Sequence, residues 1–284
     1  MSQNVRAIKS RIGNIENIGQ ITKAMNAIAM TKVTRMKRRL AETRPYIREL
    51  TSFAQRLMGR LVADEEAHPF TVSNGSSVVG VMVLNADRGL CGRYKGELNR
   101  ESEKLVGEHG SDGRLILGGE KARAYYARRD TQILGTYANV YDEPTEAIAH
   151  RIADDLIAMY VRGDVGRIDL LYMRFVSDLS QKLVVEPFLP ISIDAAENDD
   201  LLDPEADVML DYALRMMLRA TLYAALIETK TCEDALRRQA MRAATDNADD
   251  LLKSLTRVYN KARQQAITRE IADIIGGAEA LRTE

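Results

Sequence analysis

Residues 206–281 contain no proline, and their only glycines are Gly276 and Gly277. Apolar residues recur at helical intervals through Leu214, Met217, Leu218, Leu222, Leu226, Met241, Leu251, Leu255, Val258, Ala262, Ile267, Ile271, Ile274 and Leu281, the spacing of an amphipathic helix face. At 1.5 Å per residue that helix would run about 110 Å, with room for a break around Thr229–Cys232. A helix of this length cannot bury its own apolar stripe and points to a coiled coil or an extended architecture. The partner stands at the other end of the chain. Ile8, Ile12, Ile15, Ile18, Ile21, Met25, Ile28, Met36 and Leu40 keep intervals of mostly three and four, and no proline precedes Pro45. A helix over residues 3–58 would be about 80 Å long. The two helices predict an intramolecular antiparallel coiled coil. Because the gaps mix threes and fours without a strict heptad, its supercoil is expected to be irregular.

Between the helices the pattern changes. Val78-Val79-Gly80-Val81-Met82-Val83-Leu84 is a short, β-branched apolar run ended by polar residues, which reads as a buried strand. Further strands are expected at Arg114–Leu117, Gln132–Tyr137, Ile168–Val176 and Leu183–Pro187, with helices at about 92–107, 120–129 and 144–162. Strand alternating with helix implies a mostly parallel sheet with helical crossovers. The fold class is therefore α/β plus long helices: an antiparallel coiled coil of N- and C-terminal helices with a central Rossmann-like α/β domain. The expected division is 1–60 helix, 61–77 linker, 78–195 α/β domain, 196–205 linker and 206–284 helix.

Charge is nearly balanced overall but not along the chain. Residues 1–60 carry 13 Lys or Arg and only Glu16, Glu42 and Glu49 as acids, leaving 27 basic against 38 acidic residues in the remainder. A basic segment ahead of an acidic body suggests an electrostatic role for the first helix. Two cysteines, Cys91 and Cys232, argue for a reducing compartment over a disulfide framework. No apolar run reaches the length of a membrane span, and the start MSQNVRAIKSRIGNI has no signal-like core.

An enzymatic reading of the middle needs a glycine-rich turn after the first strand. That strand instead leads into Asn85-Ala86-Asp87-Arg88-Gly89-Leu90-Cys91-Gly92, in which Gly89 and Gly92 give only a GxxG fragment. Asp87, Arg88 and Cys91 could serve as acid, anion clamp and nucleophile, but a catalytic cysteine needs a base. His68, His109 and His150 all stand in polar, exposed-looking contexts. Asp87 as a cap or turn residue and Cys91 as a small buried residue are the simpler assignments. No Cys/His pair has metal-ligand spacing. Lys32, Arg35, Lys37, Arg38 and Arg39 make a phosphate-like footprint, yet no aromatic residues interleave, so nucleic acid is not expected. The residues alone leave a force-transmitting helical subunit and a stand-alone α/β nucleotide-binding enzyme with helical extensions both open.

Four ordered stretches decide further. Ile21-Thr22-Lys23-Ala24-Met25, Asp87 through Gly92, Ala240 through Ala248 (AMRAATDNA) and Tyr259 through Ile271 (YNKARQQAITREI) resemble motifs of the gamma subunits of rotary, F-type ATP synthases, in order along the whole chain. Arg93 stands where that family has a further glycine. The resemblance implies a central-stalk rotor subunit with no catalytic residues, no cofactor, no metal and no small-molecule substrate of its own. It implies alpha and beta subunits (three each), an epsilon subunit and a c-ring as partners. Its expected place is the bacterial plasma membrane, peripheral, on the cytoplasmic side, with no thiol switch of the chloroplast kind. By motif, Arg263, Gln264 and Thr268 correspond to residues touching the beta subunit. So does Arg237, four before Met241, and so do Lys23 and Met25 on the first helix at the same level. Exposed polar contacts of this kind are worth about 0–1 kcal/mol each, which suits a shaft that must turn.

Overall fold

The structure, a computed structural model, describes residues 3–63, 68–192 and 206–280. Its elements are α1 (Gln3–Ala63), β1 (Val79–Leu84), α2 (Tyr94–Glu108), a short 3-10 turn at Gly110–Asp112, β2 (Gly113–Gly118), α3 (Glu120–Tyr126), β3 (Ile133–Tyr137), α4 (Glu146–Val161), β4 (Arg167–Phe175), β5 (Gln181–Leu189) and α5 (Ala206–Ala280). The expected linker over 196–205 lies outside the described residues. Packing divides the chain into two compact units, Met1–Ile28 with Arg238–Glu284, and Ala29–Arg237.

The first unit is a two-helix antiparallel seam. Thr22 Oγ1 meets Thr245 Oγ1 at 2.8 Å, and a Cβ on Gly19 would stand 3.6 Å from that of Ala248. Val5 shares a groove with Ala262, Gln265 and Ala266, so numbers fall on one helix as they rise on the other. The sheltered positions include Val5, Ile8, Ile12, Ile15, Gly19, Thr22 and Asn26 on one helix and Met241, Thr245, Ala248, Leu252, Leu255, Tyr259, Ala262 and Ala266 on the other, with Gly13, Met25 and Ala244 half-buried at their flanks. The named positions alternate three and four along each helix, the spacing of a heptad. The apolar pattern suggests an irregular seam because it includes Ile18, Ile21 and Ile28, which are 49%, 59% and 57% exposed. The true seam substitutes Gly19 and Thr22 for Ile18 and Ile21, since only small side chains allow the close helix approach seen there. Thr22→Val alone should cost about 1 kcal/mol by stripping a hydroxyl of its partner, while Thr22→Val with Thr245→Val should return close to wild-type stability in thermal melts.

The second unit holds a five-stranded sheet in the order β3-β2-β1-β4-β5. The first four strands are parallel, and β5 returns antiparallel to β4. β1 is apolar at every second and every intervening residue because both faces are covered. Val81 and Val83 enter one core with Tyr94 and Leu98 of α2. Met82 and Leu84 enter the other with Ile152 and Leu156 of α4. Segments of α1 and α5 contribute to both cores. Within this unit α5 passes through Thr229–Cys232 without a break, because these residues are all buried and pack as core. α1 continues through Pro45, which lies on an exposed side, where the carbonyl left without a donor can face water.

Candidate functional site

The place where an open α/β sheet would hold a ligand is the crevice beyond the carboxyl ends of its strands. Here the chain fills it. Tyr94 Oη lies 3.3 Å from the Leu84 carbonyl at the end of β1 and 3.4 Å from the Thr229 carbonyl of α5. Arg237 of α5 donates to the Gly89 carbonyl at 3.2–3.3 Å. Asp87 has no free carboxylate oxygen to offer a reaction. Its Oδ1 accepts from the Glu120 and Asn139 amides and its Oδ2 from the Tyr141 amide, all at 2.9 Å. One side chain thereby starts α3 and holds the 139–141 loop. The same crossing explains Gly119, at φ +97°, where a Cβ would stand 2.5 Å from the Asn85 carbonyl oxygen; only glycine fits.

Cys91 is buried and its thiol lies 3.7 Å from the Arg88 carbonyl. Burial, with the nearby Glu233, raises its pKa above the ordinary value, away from the thiolate a nucleophile needs. Arg93, in place of the expected glycine, has φ −73° and ψ −14°, ordinary right-handed backbone that any residue adopts. The departure from the family motif therefore costs nothing locally.

A charge cluster of which the sequence motifs single out only Arg237 sits beneath this loop. Lys230, Glu233, Asp234 and Arg237 occupy successive turns of α5 and are all buried. Arg237 bonds both Glu233 and Asp234, and Lys230 Nζ lies 3.3 Å from Asp234 Oδ2 and 3.6 Å from Glu233 Oε1. Burial pushes the Glu233 carboxyl upward, against the opposing pull of Lys230 and Arg237. The i, i+3 and i, i+4 spacing of two bases and two acids is the signal the sequence offers. Nothing in that spacing distinguishes a surface network from a buried one.

The basic stretch of α1 is answered within its own unit. Arg35 pairs with Glu143 at 3.2 Å, Lys37 with Asp178 at 3.3 Å, Arg38 with Glu42 at 3.1 Å and Arg44 with Glu228 at 2.9 Å. Arg39 donates to the Pro144 carbonyl at 3.3 Å. Three of these bases, Arg35, Lys37 and Arg44, pair with acids outside α1, so part of the charge asymmetry is an internal pairing, and a phosphate footprint would have to compete with these partners.

The residues singled out by motif separate into three places. Lys23 is exposed and Met25 half-buried, at the level of Met241–Arg242 in the antiparallel register. Arg263, Gln264 and Thr268 are exposed, about 30 Å further along by helix rise. Thr268 Oγ1 donates to the Gln264 carbonyl at 3.0 Å. Arg237 belongs to the other unit, 7% exposed and held in the buried quartet.

All three histidines are partly buried instead of exposed. His68 carries a full set of partners: its Nδ1 accepts from the Phe70 amide at 3.2 Å and its Nε2 lies 3.4 Å from Asp211 Oδ1. Burial lowers its pKa below the ordinary 6.5, outweighing the pull of Asp211. A depressed pKa means the folded state releases the proton, so the contribution is present above pH 6.5 and lost as pH falls below it. Thermal stability should decline on acidification from pH 7 to 5.5, and His68→Gln should flatten that slope.

Among the described residues no helix is long and apolar enough to cross a membrane, and no group of three or more His, Cys, Asp or Glu could hold a metal ion. Residues 4–281 match the family model described as ATP synthase. The chain is 34% identical over 312 residues to the ATP synthase gamma chain of Nostoc punctiforme, covering 98% of this chain and 99% of that one. It is 34% identical over 282 residues to the ATP synthase gamma chain of Desulfitobacterium hafniense, with the same coverage. Among solved structures it is similar in fold to a chain of the Euglena gracilis mitochondrial ATP synthase, in an assembly of OSCP, F1 and c-ring. That likeness has a TM-score of 0.70 at 19% identity over 98% of this chain and 94% of the other. A chain of the Tetrahymena thermophila mitochondrial central stalk and c-ring gives 0.62 at 19% identity, over 79% of this chain and 99% of that one.

Proposed function

This chain belongs to the ATP synthase gamma-chain family, the central-stalk subunit, and we propose that it is a turning shaft without chemistry of its own. It couples ion flow through a membrane sector to ATP synthesis and hydrolysis at a hexamer of three alpha and three beta subunits. Its remaining partners are an epsilon subunit and a c-ring. Its place is peripheral, on the cytoplasmic side of a bacterial plasma membrane, held there through the complex. Residues 1–60 and 206–284 serve as the coil and 78–195 as the outward body.

The observation that carries this reading is the first unit. Its seam is closed by small residues at Gly19–Ala248 and Thr22–Thr245, while Lys23, Arg263, Gln264 and Thr268 are exposed, beside the exposed side chains of Ile21 and Ile267. Exposed donors of this sort make contacts that form and break at small cost. The nucleotide-enzyme reading loses ground on the crevice that α5 closes.

The test is ATP hydrolysis by matched alpha and beta subunits, with and without this chain, followed by gel filtration. Restored multisite turnover in a complex of one chain with three alpha and three beta is expected. Arg263→Ala with Gln264→Ala should lower ATP synthesis about two- to fivefold while leaving assembly intact. A chain that elutes alone beside correctly folded partners and changes nothing would overturn the shaft.

A further inference from the structure

Within the second unit, α1, α4 and α5 line a half-open cavity of about 320 Å³, inside the size range of small-ligand sites. Its more buried lining is Ala220, 7% exposed, with Met216 and Tyr223 half-buried, and beside them the half-buried polar side chains of Thr43 and His150. Its mouth carries Glu42 and Glu146, both exposed, with the Tyr46 ring beside them. Glu42 Oε1 accepts from Arg38 at 3.1 Å, an exposed pair that a second cation can share. Arg39 also lines the cavity, but that guanidinium is turned to the Pro144 carbonyl. Among the described residues the Glu146 carboxylate has no hydrogen-bond or ion-pair partner. It stands in the first turn of α4, where a helix dipole stabilises negative charge. Tyr223 lies within electrostatic reach of Arg39, Glu146 and Glu42, which ties this lining to the charged mouth.

We propose that this cavity binds a small organic cation with an apolar or aromatic body. The body fills the space against Met216, Ala220 and the Tyr223 face, and the ammonium remains at the mouth between Glu42 and Glu146. Tyrosine faces and carboxylates together select a cation. An anion would meet two carboxylates against the single Arg39 guanidinium, whose charge its bond to the Pro144 carbonyl leaves in place and whose reach is shared with Glu42 and Glu146. A neutral molecule would bury the same surface but leave the Glu146 carboxylate without a counter-charge.

The probe is 2-naphthylmethylammonium, titrated into the full chain and followed by naphthyl fluorescence, beside neutral 2-naphthylmethanol and anionic 2-naphthoate. Saturable sub-millimolar binding of the cation is expected, at least about fivefold tighter than either control. Glu146→Gln should weaken it about fivefold, and Glu42→Gln with Glu146→Gln about tenfold or more, without change in the thermal melt. Both sites are exposed, so the variants keep the fold, and the single variant stands in if the double does not. No saturable binding of the cation overturns the proposal. So does equal affinity for the alcohol, or binding indifferent to the loss of both carboxylates.

Discussion

Arg237→Ala is expected to cost about 3–5 kcal/mol, because it leaves two buried carboxylates facing one remaining cation. The guanidinium bonds Glu233 and Asp234 and reaches out to the Gly89 carbonyl, so its loss removes partners from a helix and from the loop above it. Glu233 Oε2 already has no hydrogen-bond partner, which means the site has no spare donor to redistribute. Arg237→Met separates the causes: it keeps most of the stem's volume and should be nearly as damaging, showing that charge and not packing is at stake. Replacing Lys230, Glu233, Asp234 and Arg237 together by apolar residues of similar volume should come back to within about 2 kcal/mol of wild type, since the quartet's attraction roughly offsets its desolvation. Acidification supplies an independent sign. Burial holds the Glu233 pKa above its ordinary 4.5 in the folded state, and without Arg237 it moves higher. A folded state that keeps a proton the unfolded chain releases loses stability as pH rises. The Arg237→Ala penalty should therefore be small near pH 4.5 and grow toward neutrality. A penalty flat across that window would show that the quartet's charges are not what the variant disturbs.

Asp87→Ala should cost about 3–5 kcal/mol, near 10 °C in melting temperature for a unit of this size. Three backbone amides, those of Glu120, Asn139 and Tyr141, lose a carboxylate acceptor at once. Charge-assisted bonds of this kind are worth about 1.5–3 kcal/mol each, and they are not additive when one side chain makes all three. Asp87→Asn keeps the oxygen that serves Glu120 and Asn139 and turns an amide group toward the Tyr141 N–H, so it should cost about half as much. Hydrogen exchange locates the damage. Faster exchange confined to Glu120, Asn139 and Tyr141 is expected, and unchanged exchange there with a lowered melt would mean the loop is held by other contacts.

Much of the chain's organisation arises from local rules. The absence of proline over 206–281 and the three-and-four spacing at both ends call for long helices whatever surrounds them. The apolar run at Val78–Leu84 needs cover on both faces, and a sheet flanked by two cores supplies it. These features depend on chain stiffness and period, which are properties of neighbouring residues.

The amino-acid sequence by itself therefore determined the helices, the strands and the ordered motifs that place the chain in its family. Only the tertiary structure decided which face of each helix is inside. Hydropathy favoured Ile18 and Ile21, but Gly19 and Thr22 form the seam, because an interface is selected by how closely two backbones approach as well as by apolar area. Burial of Lys230, Glu233, Asp234 and Arg237 was likewise decided by packing, since a charged i, i+4 pattern is the same in water and in a core. Asp87 reads locally as one turn residue among several; its three amides come from residues 33 to 54 positions away, and no local rule reaches that far.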